Sequence, residues 1–199
     1  VVGGGTVGTN AAKVALGIGA NVTILDISLD RRRYLADVLE GRLTVLAFNE
    51  YTLENAVKDA DLVIGGLLIP GARAPRVVTK SMISQMRKGS VIVDVAIDQG
   101  GCVEGAVPTT HANPVIDIDG VKLFCVANMP GCVARTSTFA LTNATFPYVS
   151  KLANLGYRSA MRADPALAKG LNVAQGKLVC KPVADSLGIA YEELDLSAT

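Results

Sequence analysis

The sequence lacks a CxxC pair, an excess of either charge and any long apolar run. Its four cysteines are Cys102, Cys125, Cys132 and Cys180, and it has a single histidine, His111. These offer no metal-ligating set, and no metal is expected. Three of the cysteines lie among apolar or glycine-rich residues, which reads as buried, reduced thiols suited to a reducing cytoplasm. With 19 basic against 18 acidic side chains the net charge is +1, which leaves no electrostatic case for nucleic acid or an anionic membrane surface. No stretch approaches the roughly 18 consecutive apolar residues that span a bilayer. There is no initiator methionine, basic leader or processing site either. The chain opens at Val1-Val2 as if already inside a β-strand, and an upstream portion is expected to be missing.

What is present is a composition 50% hydrophobic and 19% charged over 199 residues, enough for one compact domain plus an appendage. Strand-like and helix-period segments alternate to about residue 130. Val1-Val2 runs into glycines, and Thr9 to Ile18 reads as a helix with a small-residue face. Strands are expected at 22–27, 43–47, 62–68, 90–96 and 121–127. Helices are expected at 29–39, at 52–58 capped by Thr52, and at 79–86 capped by Thr79. Continuous apolar strands separated by helices indicate a parallel sheet covered on both faces, a doubly wound α/β (Rossmann) domain. The character changes near residue 134. A long helix over 136–155 is expected to kink at Pro147. A short helix from Asp164-Pro165, a hairpin around Gln175-Gly176 and a helix over 181–188 then follow. The division is therefore 1–134 for the dinucleotide-binding domain and 135–199 for a helical tail belonging to a largely missing substrate domain.

Gly3-Gly4-Gly5-Thr6-Val7-Gly8 satisfies GxGxxG through Gly3, Gly5 and Gly8. The first glycine permits a tight turn, the second lets backbone approach a pyrophosphate, and the third lets helix and strand pack closely. The pyrophosphate would lie on free N–H groups at the helix start. Alone the motif is weak, but Asp26 follows 18 residues after Gly8, at the end of the next strand. A carboxylate there accepts ribose hydroxyls and repels a 2′-phosphate, so NAD is favoured over NADP; the alternative is an Asp that merely caps the next helix. Arg31, Arg32 and Arg33 could accommodate a 2′-phosphate, but read better as a solvated first turn with one arginine near the ribose.

A second constellation, Val93-Asp94-Val95-Ala96-Ile97-Asp98-Gln99-Gly100-Gly101, leaves a strand at its carboxyl end, where open α/β sheets bind ligands. Asp94, inside the strand, reads as a hydrogen-bonded structural carboxylate. Asp98 precedes two glycines, and on chemistry alone it is either a turn residue or an active-site carboxylate.

Asp98-Gln99-Gly100-Gly101-Cys102 and Pro108-Thr109-Thr110-His111 resemble alanine dehydrogenase. So do Val126-Ala127-Asn128-Met129-Pro130-Gly131, Thr136-Ser137-Thr138 and Ala140-Leu141-Thr142-Asn143-Ala144-Thr145. The resemblance runs in order across essentially the whole chain. It extends, less closely, to the NAD-binding region of proton-translocating transhydrogenase. It implies NAD-dependent, reversible oxidative deamination of L-alanine to pyruvate and ammonium, in a homo-oligomer that is commonly hexameric. It also implies that Thr6 and Val7 contact the pyrophosphate, and that Asp26 and Arg31 serve the adenosine ribose end. Leu67 and Leu68 would line the adenine or ribose pocket. Val95, Ala96, Ile97 and Asp98, with Val126, Ala127, Asn128 and Met129, would border the nicotinamide and its ribose. Asp98 matches the family's active-site aspartate. The family's catalytic histidine and substrate-binding lysine belong to its other domain and match nothing here, so the chain alone is expected to be inactive. His111 falls in a loop beyond Asp98 and reads as a structural residue. Val107, where relatives usually carry arginine, and Phe48, where many carry a small polar residue, depart from the pattern. Two other readings stay open: a transhydrogenase component, and a non-catalytic NAD-binding module.

Overall fold

Val1-Val2 already lies inside a sheet. In the computed structural model, which describes residues 1–193, Val2 bridges in parallel to Leu25 on one side and to Gly65 on the other. Around it run α1 (Thr6–Gly17), β1 (Val22–Asp26), α2 (Leu29–Val38), β2 (Leu43–Ala47), α3 (Glu50–Lys58) and β3 (Leu62–Gly65). These are followed by α4 (Lys80–Gln85), β4 (Val91–Asp94), β5 (Val115–Ile118) and β6 (Val121–Phe124). The strands are ordered β2-β1-Val2-β3-β4-β6-β5, parallel except for the edge strand β5. Helices cover both faces, as expected of a doubly wound domain. Ala12 of α1 and Leu35 of α2 bury against Val22 and Ile24, while Leu53 and Val57 of α3 and Met82 and Ile83 of α4 pack with Leu25, Val63 and Ile92. Alternate residues of β1 thus serve opposite layers, which is the period-2 geometry of a strand buried on both sides.

Several boundaries differ from the sequence reading, each for a local reason. α1 begins at Thr6 rather than Thr9, directly after Gly5. The cap of α3 is Asn49, not Thr52; Thr52 is the reciprocal partner of a capping box, its N–H donating to Asn49 Oδ1 at 2.9 Å and its Oγ1 accepting the Asn49 N–H at 3.1 Å. β3 stops at Gly65, and β4 stops at Asp94, whose side chain turns the next residues, Val95–Gln99, into a 3₁₀ turn. The β5–β6 hairpin was not anticipated. Its signal is Asp119-Gly120, both at positive φ (54° and 83°), the pattern that closes a two-residue hairpin.

The described residues divide into two compact units, 1–69 with 73–129, and 70–72 with the segment from 130 onward. The second unit contains α5 (Ala134–Ala163), α6 (Pro165–Ala168), a hairpin of β7 (Val173–Ala174) and β8 (Lys177–Leu178), and α7 (Lys181–Leu187). Residues 194–199 of the expected tail lie outside the described residues. The break in α5 falls at Gly156 (φ 70°) and not at Pro147, where the backbone keeps helical angles. Asp164 caps α6 through the Ala166 and Leu167 N–H groups and pairs with Lys151, which holds its carboxyl below the usual range.

Candidate functional site

The strands β1, β3, β4 and β6 and the Val1-Val2 segment all run the same way, so their carboxyl ends open on one side of the sheet. The glycine turn, Asp26, Leu67, the Val95–Gln99 turn and residues 126–129 all follow those ends. A cavity of about 750 Å³ lies at the opposite end and is lined by Val1, Ala20, Thr23 and Leu62 among others. It is therefore distinct from the glycine-turn crevice.

Each fingerprint glycine does a different job. Gly3 has φ +94°, and a Cβ there would come within 2.9 Å of the Gly66 carbonyl oxygen. At Gly8 a Cβ would overlap the Gly3 carbonyl oxygen, so only glycine lets α1 sit this close to the first strand. A Cβ on Gly5 would meet nothing within 4 Å, because that position faces open space. The exposed Thr6 and Val7 follow it in the first turn of α1, whose N–H groups have no partner within the helix.

Asp26 closes the turn from the side. Its Oδ2 accepts the Gly4 N–H and its Oδ1 the Ser28 N–H, both at 2.8 Å. A carboxylate has about four acceptor positions, so about two remain open. The Arg31 guanidinium donates to the Gly4 carbonyl at 2.5 Å and the Thr9 hydroxyl at 2.7 Å, and stacks 4.7 Å from the Tyr34 ring. Sequence reasoning passed over Gly4, Thr9 and Tyr34. Thr9 is buried and bonds the carbonyls of Gly4 and Gly5, and a Cβ on Gly4 would strike Leu35 and crowd Asp26.

At the other end of the crevice Asp98 is exposed, and its two oxygens face the Asn128 N–H at 3.4 and 3.3 Å. Asn128 adopts φ 52°, which turns its main-chain N–H towards that carboxylate. Ala127 and Leu68 are also exposed, whereas Val95, Leu67 and Met129 are half-buried. Ala96, Ile97 and Val126 are buried, so a ligand would reach them only through main-chain atoms. His111 lies in the exposed loop between Thr109 and Pro114. Cys102 and Cys125 are buried, and burial raises both thiols, Cys125 to about 11, which leaves them protonated and inert at neutral pH.

The model of the C-terminal domain of alanine dehydrogenase/PNT matches residues 1–181. The chain belongs to this family. Among curated relatives, the alanine dehydrogenase of Halomonas elongata is 54% identical over 193 residues, covering 97% of this chain and 52% of the relative. Those of Mycobacterium tuberculosis and Methanococcus maripaludis are 51% and 52% identical, each with 52% of its own length covered. The chain thus spans about half the length of the curated relatives it matches. A solved L-alanine dehydrogenase superposes with TM-score 0.82 at 51% identity, over 94% of this chain and 52% of that one. A transhydrogenase from Sinorhizobium meliloti gives TM-score 0.70 at 24% identity, over 90% of this chain and 48% of that one, a likeness of fold. No helix among the described residues is long and apolar enough to cross a membrane.

Proposed function

We propose that this chain is the NAD-binding half of an enzyme that interconverts L-alanine with pyruvate and ammonium. The observation that carries the reading is Asp26, fixed beside the glycine turn with acceptor positions still open. The residues suit a dinucleotide: Gly5 leaves space where a pyrophosphate must approach, and the first-turn amides of α1 supply donors. NAD is preferred over NADP because Asp26 is anionic and Arg31 is already engaged with Gly4 and Thr9. Relatives named alanine dehydrogenase, at 54% and 51% identity, support the substrate pair over the transhydrogenase alternative.

When bound, NAD supplies the hydride acceptor. The chain's own work is to hold and orient. Thr6, Val7 and the first-turn amides would grip the pyrophosphate, Asp26 the adenosine ribose, and Leu67 and Leu68 the adjoining pocket. Val95, Ala96, Ile97, Val126, Ala127, Asn128 and Met129 would frame the nicotinamide ribose. Asp98 would sit at the reacting end, its exposed carboxylate accepting a proton from the water that adds to the reacting carbon and returning it when that water leaves. Residues 135–199 would complete the substrate-holding domain. The protein would act as a homo-oligomer in the cytoplasm, where four cysteines outside any disulfide are at home.

The test has two arms. The 199-residue chain should bind NADH, read by its fluorescence, and form no NADH from alanine and NAD. A polypeptide joining it to an amino-terminal half of the kind its relatives carry should turn over, and Asp98→Asn should lower its kcat by roughly 10²- to 10⁴-fold. Alanine-dependent NADH formation by the chain alone, or an unchanged kcat in the Asp98 variant, would overturn the assignment.

A further inference from the structure

Asp94 is fully buried at the end of β4, and the proposed chemistry does not use it. Its carboxylate nevertheless accepts four hydrogen bonds. Oδ1 takes the Ala96 N–H at 3.1 Å and the Cys102 thiol at 3.4 Å, and Oδ2 takes the N–H groups of Cys102 and Val103 at 2.9 and 3.2 Å. All four donors lie on the two ends of one loop, residues 95–103, which carries Asp98 on its exposed part. Gly100 and Gly101, at φ +99° and +77°, fold that loop back so tightly that a Cβ on Gly101 would come within 2.8 Å of Asp94 Oδ2. Burial and the adjacent Asp94 push the Cys102 thiol up, so it remains a donor.

Among side chains of this size only an ionised carboxylate offers acceptors at both ends. An asparagine would have to aim its NH₂ at one pair of donors. The thiol can rotate to accept from an NH₂ placed at Oδ1, whereas the two main-chain N–H groups at Oδ2 cannot. Asparagine therefore keeps the Cys102–Val103 end and releases the Ala96 N–H, two residues from Asp98.

We propose that Asp94 is a positioning residue that staples both ends of the 95–103 loop and so holds Asp98 towards the Asn128 N–H. The inference rests on reading Asp98 as the carboxylate at the nicotinamide end. Asp94→Asn, made in this chain, should speed amide exchange at Ala96 by roughly tenfold or more relative to Val121, with Val103 less affected. It should also weaken NADH binding by roughly tenfold, and in an Asp98→Asn background it should add little further loss. An equal loss in both backgrounds would make Asp94 a general support of the fold and overturn the proposal, as would unchanged exchange at Ala96. If the variant does not fold, native-state exchange of the unsubstituted chain decides. The amides of Ala96, Cys102 and Val103 should open together with one denaturant dependence, and separate openings would overturn the staple. A parent chain that fails to bind NADH would sink the dinucleotide reading instead, and the exchange data alone would then judge the staple.

Discussion

Gly8→Ala is expected to abolish NADH binding and to lower the unfolding free energy by about 3 kcal/mol or more, the range of severe overpacking. The added Cβ would overlap the Gly3 carbonyl oxygen, with the Gly3 carbonyl carbon at 3.0 Å and Val1 Cγ1 at 3.1 Å behind it. Gly3 has nowhere to go. Its N–H is bonded to the Leu25 carbonyl at 2.8 Å, and the space on its Cβ side is closed by the Gly66 carbonyl oxygen, 2.9 Å from where a Cβ would stand. Relief therefore requires α1 to lift from the sheet, which moves the first-turn amides away from any pyrophosphate. Gly5→Ala is the matched control. Its φ of −66° suits alanine and nothing lies within 4 Å of the new Cβ, so stability should hardly change. NADH affinity should still fall, because the methyl group stands in the space that a pyrophosphate needs. Urea denaturation and NADH fluorescence titration on both variants separate the two effects. A Gly5→Ala chain that binds NADH like the parent would remove the pyrophosphate from this turn.

The layout of strands and helices in the first unit was legible because apolar runs and helix periodicity are local, although the starts of α1 and α3 were each read three residues late. Leu43–Ala47 and the Thr79 cap are where apolar runs and capping hydroxyls put them. The differences arise where a side chain or backbone makes a longer-range bond. Asp94 ends β4 early because its carboxylate is claimed by Ala96, Cys102 and Val103, and the last two lie eight or nine residues onward. The β5–β6 hairpin escaped notice although Asp119-Gly120 stood in plain view, because β5 pairs antiparallel on the edge of an otherwise parallel sheet. In the candidate site, GxGxxG and Asp26 could be read directly from spacing. That Arg31 reaches back to Gly4 and Thr9 could not, since it depends on where α2 is set down on the sheet.

That arginine governs the second large effect. Asp26→Ser is expected to weaken NADH binding by roughly 10- to 100-fold, the loss of one or two charge-assisted hydrogen bonds to the ribose hydroxyls. It should also destabilise the chain by about 1–2 kcal/mol, since the Gly4 and Ser28 N–H groups lose their acceptor. Removing the carboxylate also removes the charge that repels a 2′-phosphate, which by itself would favour NADPH. The gain should nevertheless stay below about tenfold, because binding a phosphate rewards a free bidentate guanidinium. The Arg31 guanidinium is tied to the Gly4 carbonyl and the Thr9 hydroxyl and stacked on Tyr34. Turning it outward would take a donor from the Thr9 hydroxyl, leave the Gly4 carbonyl to Thr9 alone, and loosen the glycine turn it braces. Adding Thr9→Ala to Asp26→Ser should release one of those ties and raise NADPH affinity further, at a cost in stability. Titrations of NADH and NADPH against the parent, the single and the double variant decide the matter. If the single variant binds NADPH more tightly than the parent binds NADH, Arg31 is free to turn, and the preference for NAD rests on Asp26 alone.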